Sequence, residues 1–124
     1  MDWSYDPGNV FAKILRGEIP SDPVLETEHS LAFRDVRPQA PVHVLVIPKG
    51  AYVSLDHFAA EASDAEIADF VRAVGEVARQ EGVDTRKGGG FRMISNAGRD
   101  GVQEVPHLHV HVLGGETLGR MLPE

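Results

Sequence analysis

Apolar residues at Val10, Phe11, Ile14 and Leu15 share one side of a helix, with Asn9 as its cap and Gly17 as its stop. Val24–Thr27 and Ser30–Val36 read as two short strands around a tight turn at Glu28-His29. Arg37-Pro38-Gln39-Ala40-Pro41 breaks that pattern. Val42–Ile47 is a nearly unbroken apolar run of β-branched residues, the signature of a central strand covered on both faces. Ile67, Phe70, Val71, Val74, Val77 and Ala78 recur at the helical period, and Ser63 with Glu66 forms a capping box. These predict a long helix over Ser63–Gln80 with Gly82 beyond its end. Gly88-Gly89-Gly90 is a turn, Phe91–Ser95 a strand, Asn96–Gly101 a polar loop and Pro106–Leu113 the last strand. The order is helix, three strands, long helix, two strands. It predicts an α+β fold with a mainly antiparallel sheet of five strands, one short helix and one long one. Residues 1–124 read as a single domain, with 1–8 a loose N-terminal arm and 114–124 a C-terminal tail.

Composition narrows the chemistry. The 124 residues are 42% hydrophobic and 25% charged, which is globular rather than disordered. There is no cysteine, so disulfides, zinc–thiolate sites, iron–sulfur clusters and thiol nucleophiles are excluded. The net charge of −7 argues against nucleic acid or an anionic membrane as partner. The first eight residues have neither a cationic start nor an apolar core, and no apolar run is long enough to span a bilayer. A cytoplasmic protein is the expectation.

Three of the six histidines, His107, His109 and His111, alternate with Leu108, Val110 and Val112. On a strand the imidazoles share one face, about 6.6 Å apart, and the aliphatic residues pack on a core from the other. The histidine face should look into something polar. One reading is a solvent-facing strip. A second is a metal site, against which a third histidine on the same strand converges poorly and no acidic ligand lies within the motif. The third is catalysis, with one neutral imidazole attacking while its neighbours orient it and bind charge.

His107-Leu108-His109-Val110-His111-Val112-Leu113 fills the His-φ-His-φ-His-φ-φ pattern of the histidine triad (HIT) family. The rest of the chain resembles the Hint branch, the histidine triad nucleotide-binding proteins, in their bacterial form. Val10–Ile14 with Glu18-Ile19-Pro20 is similar to its first helix and turn. Phe33-Arg34-Asp35, Pro38–His43 and Val46–Lys49 are similar to a second block. Asn96-Ala97-Gly98, Gly101 and Gln103 lead into the triad, and Leu113-Gly114-Gly115 follows it. The resemblance runs from about residue 9 to residue 122.

The resemblance implies a HIT-like fold whose sheets join across a homodimer. It also implies a metal-independent hydrolase, without cofactor, that cleaves purine nucleoside 5′-phosphoramidates at the α-phosphate. His109 would be the nucleophile and form a nucleotidyl-histidine. His111 would bind the phosphate, and His107 would orient the triad, with His43 on the neighbouring strand as the link. His43 equally reads as a satisfied polar group in a central strand. Asp35 would accept the ribose hydroxyls. Val10, Phe11, Ile14, Ile19 and Val36 would wall the base. Asn96 and the amide of Val102 would reach the phosphate. Glu104 stands where many relatives have serine. It could protonate the leaving amine, or turn away and pair with Arg99. The tail lacks the tryptophan of the animal proteins. His29 reads as a turn residue and His57 as a loop or surface residue. Two other functions share the motif: a dinucleoside polyphosphate hydrolase of the Fhit type, and a nucleotide-binding regulatory module with vestigial hydrolysis.

Overall fold

The computed structural model describes residues 3–123. Helix α1, Val10–Leu15, starts where the Asn9 side chain accepts the Ala12 amide at 2.9 Å. It is followed by strands β1 (Pro23–Glu26), β2 (Ser30–Arg34) and β3 (Val42–Pro48). Helices α2 (Leu55–Glu61) and α3 (Asp64–Gln80) come next, then β4 (Phe91–Ile94) and β5 (Val110–Gly114). The five strands form one antiparallel sheet in the order β1-β2-β3-β5-β4.

The apolar run of β3 is explained by cover on both sides. Val44 and Val46 lie in a core with Ala32, Val110, Val112 and the inner face of α3, Phe70, Ala73, Val74 and Val77. Leu45 and Ile47 face the other way and pack with Leu31, Phe33 and Phe11 of α1. Burying both faces is what removes the polar alternation from this strand. The capping box is formed, with Ser63 accepting the Glu66 amide and Glu66 accepting the Ser63 amide. Asp69 of α3 accepts the hydroxyls of Thr27 and Ser30, each at 2.7 Å, and so clasps the long helix to the β1–β2 turn. Ser30 is 1% exposed. Asp69→Ala strands that hydroxyl and is expected to cost about 1–3 kcal/mol, measured by urea unfolding.

Four expectations are corrected. The described residues form three helices, not two. The additional α2 carries only one aromatic, Phe58, in the main core, and its Ser54 hydroxyl turns to Asp56 rather than to a backbone amide. Neither periodicity nor a cap marked it. His57 lies on α2 and is 5% exposed, not a surface residue: its Nδ1 accepts the Val53 amide at 2.9 Å, and Trp3 stacks on its ring at 4.9 Å. The N-terminal segment is held rather than loose from Trp3 onward, because Trp3 and Tyr5 have rings to bury. Met1 and Asp2 of the expected arm, and Glu124 of the tail, lie outside the described residues. The second strand stops at Arg34, where the Asp35 side chain accepts the Arg37 amide and turns the chain. No helix among the described residues is long and apolar enough to cross a membrane.

Candidate functional site

Alternation in the histidine segment works as the sequence requires. Leu108, Val110 and Val112 enter the core under α3. The three imidazoles go to the opposite face, where Phe11 meets His109 edge-on at 5.0 Å and His107 at 6.3 Å. The paired strand, however, begins at Val110, not Pro106. With Val46 opposite Val110, the next pair would set Leu108 against Pro48, which has no N–H to donate. Leu108 instead donates to the carbonyl of Tyr52 at 2.8 Å. The histidine face is also less polar than expected. His107 is wholly buried, His43 is 3% exposed and His109 6%; His111 is half-buried.

The partners of these rings fix where each proton sits. A carbonyl only accepts, so His109 carries its proton on Nδ1, donated to the carbonyl of His107 at 2.7 Å. Its Nε2 is left with a free lone pair. His107 must donate from Nε2 to the Pro48 carbonyl at 2.9 Å, so its Nδ1 is an acceptor, and the Tyr5 hydroxyl donates to it at 2.5 Å. His43 Nδ1 accepts the Gln39 amide at 3.0 Å, so the proton of His43 is on Nε2. That proton is donated to Nδ1 of His111 at 2.9 Å. His111 therefore carries its own proton on Nε2. Neighbouring rings 5.1 Å apart thus hold opposite tautomers, His109 with an open lone pair and His111 with an open donor.

Burial keeps all four rings neutral. It pushes His107 down to about 4; it pushes His111 down to about 4 as well, helped by His109 and His43. His109 is lowered by burial, opposed by its bond to the His107 carbonyl and by the charges of Asp35 and Glu104. His43 is lowered by burial against the pull of Asp35.

Two of these rings, His109 and His111, border a cleft of about 680 Å³. Val10, Phe11, Ile14, Ile19, Asp35, Val36, Asn96, Val102, Glu104, His109 and His111 all line it. His43 and His107 stand behind the wall. Phe33, Leu45 and Val105 add to the apolar side; the first two were read only as motif or strand residues and Val105 was not singled out, since alternation does not say which apolar face borders a cavity.

Several expected contacts differ. His43 bonds His111, not His107, because β3 sets Leu45, two residues on, opposite His111. The Val102 amide donates to the Arg99 carbonyl at 3.1 Å within its own turn and does not point into the cleft as a free donor. The turn holds Val102 at a φ of 56°. Arg99 pairs with Asp100 rather than Glu104. An acidic group does reach the triad, although none lies within the motif: Asp35 Oδ2 is 3.4 Å from His43 Nε2. Asp35, His43 and His111 are the group among the described residues that could hold a metal, with ligand atoms within 4.8 Å of one another. Imidazole nitrogens on one tetrahedral zinc sit roughly 3.3 Å apart given its bond lengths. At 2.9 Å the two rings share a proton, so a metal would first have to open that bond.

A family model, the HIT domain, matches residues 16–118. An uncharacterised 13.2 kDa HIT-like protein of Azospirillum brasilense is 62% identical over 96% of this chain and 95% of its own length. The purine nucleoside phosphoramidase of Escherichia coli K12 is 42% identical over 91% of this chain and 92% of its own. Among solved structures, a HIT family hydrolase from Clostridium thermocellum superposes with a TM-score of 0.82. It is 38% identical, over 93% of this chain and 97% of the other.

Proposed function

The chain belongs to the HIT domain family, and from that premise we propose that it hydrolyses purine nucleoside 5′-phosphoramidates through a nucleotidyl-histidine, without a metal. The observation that carries this reading is the opposed tautomers of His109 and His111. His109 Nε2 has its lone pair open beside the cleft. It attacks the α-phosphorus, the P–N bond breaks, and the nitrogen leaves as an amine after taking up a proton. Glu104, on the same cleft, relays that proton from solvent, and the proton shed by the attacking water in the next step leaves by the same route. His111 Nε2–H donates to a phosphate oxygen as charge grows there. Water then cleaves the N–P bond, giving the monophosphate and restoring neutral His109. Asp35 uses one oxygen for the Arg37 amide and keeps acceptor capacity for ribose hydroxyls. Val10, Phe11, Ile14, Ile19 and Val36 wall the base, and Asn96 contacts the phosphate. Similarity to the E. coli phosphoramidase favours this substrate over a dinucleoside polyphosphate.

The test is release of AMP from adenosine 5′-phosphoramidate, with and without EDTA. Turnover that resists the chelator supports the reading. An inert protein that still binds AMP would move a regulatory binding module ahead of it.

His43 fixes the tautomer of His111 and touches no substrate in this reading. His43→Ala should therefore lower kcat about tenfold while KM changes little. Steady-state kinetics separates the two, and an unchanged kcat removes His43 from the mechanism.

We read the chain as a homodimer joined along β4. That strand is a sheet edge, and Phe91 and Met93 stand 37% and 58% exposed on it. Sedimentation should give twice 13.5 kDa; a single chain's mass would contradict it.

A further inference from the structure

We propose that Tyr5, on the N-terminal segment, is a positioning residue for the reaction, acting through His107 on the nucleophile. This rests on the reading of His109 given above. His107 cannot touch substrate: it is wholly buried and stands behind the cleft wall. Its importance lies in its carbonyl, which holds the proton of His109 on Nδ1 at 2.7 Å. The backbone fixes that carbonyl through the Leu108 amide, bonded to the Tyr52 carbonyl at 2.8 Å, and the anchored His107 side chain is the second hold on it.

The anchor has two ends. One is Nε2–H on the Pro48 carbonyl; the other is Nδ1, whose partner is the Tyr5 hydroxyl. Without that hydroxyl, Nδ1 would be a buried acceptor with no donor, and the ring could flip or change tautomer to find one. Among the described residues every buried side-chain nitrogen and oxygen has a partner, so no spare donor is waiting. The Tyr5 ring also stands edge-on to His107 at 5.5 Å.

The segment is itself fixed, which a positioning role demands. Trp3 stacks on His57 at 4.9 Å with planes 12° apart, and His57 is locked by its bond from the Val53 amide. On the far side of Tyr5, the Asp6 carboxylate accepts the Gly8 amide and its carbonyl accepts from the Asn9 side chain that caps α1. The first helix carries Phe11, which packs on His109. Residues 1–8 were expected to be a loose arm; within it Tyr5 braces the back of the triad, and Trp3 holds the segment on His57.

The experiment uses the full chain with 15N-labelled histidine. Tyr5→Phe keeps the ring and deletes only the hydroxyl. We expect a five- to tenfold fall in kcat for AMP release, with KM unchanged. The His107 imidazole 15N pair should leave the pattern of a pure Nε2–H tautomer. Trp3→Ala, which leaves the hydroxyl but frees the segment, should move both readouts the same way by less. Wild-type kcat in Tyr5→Phe would overturn the proposal. So would a fall in kcat with the His107 resonances unmoved, which would indicate general loosening. Wild-type protein inert toward the phosphoramidate counts against the phosphoramidase reading instead. An unshifted His107 pair counts against Tyr5 whatever the activity.

Discussion

His109→Ala is expected to lower AMP release from adenosine 5′-phosphoramidate by about three orders of magnitude or more, while AMP binding changes only a few-fold. The argument is geometric. His109 is the ring whose Nδ1 proton is taken by a backbone carbonyl, so it offers Nε2 as a base-like nitrogen next to the cleft. His111 cannot replace it: the bond from His43 commits its Nδ1 and leaves only a donor outward. His107 is buried behind the wall and its nitrogens are committed to Tyr5 and Pro48. No second nucleophile of the same kind is therefore in reach. The apolar side of the cleft, Asp35 and Asn96 remain in the variant, so ligand affinity should largely persist. The check is a pair of measurements on one preparation, AMP release and AMP binding by calorimetry. Turnover within tenfold of wild type would end the assignment of His109.

Acidification from pH 7 to pH 5 should strip folding stability steeply, at about 2–3 kcal/mol per pH unit near pH 5.5. His107 and His111 are held down to about 4 by burial in the folded protein. In the unfolded chain they titrate near 6.5. Between these values the unfolded state binds more protons, so stability is full above pH 6.5 and falls as pH drops towards 4. Two protons taken up on unfolding set the slope. Urea midpoints at pH 7, 6 and 5 read it directly; a midpoint independent of pH over this range would show that the rings are not held neutral.

What could be read before folding was what repeats locally. The helix at 64–80 announces itself through period and capping box, and β3 through a run too apolar for a one-sided strand. The triad was visible as a motif, and its apolar spacers did enter the core. What was not visible was set by distant backbone. Nothing in Pro106-His107-Leu108 says that Leu108 will face a proline across the sheet and that pairing must stop. Asp35 and the triad are more than seventy residues apart in sequence, so no spacing rule joins them; β3 does, by carrying His43 between both. Trp3 and Tyr5 sit in a segment of turn-forming residues. Their partners, His57 and His107, lie far along the chain, the second of them 102 residues from Tyr5. A local pattern records a residue's neighbours along the chain, and these pairings are made across it.

The strand order β1-β2-β3-β5-β4 fixes when the site can exist during synthesis. The last strand to leave the ribosome is inserted between two made earlier. Until β5 arrives, β4 has no partner at all and β3 presents an open edge. The strand that fills this gap is continuous with the three histidines. A nascent or C-terminally truncated chain therefore cannot hold a partly built cleft, because the segment that supplies the chemistry is also the one that closes the sheet. Competence and completion of the fold coincide, and a chain cut before residue 110 leaves β3 with an open edge and β4 unpaired on both sides as its aggregation hazard.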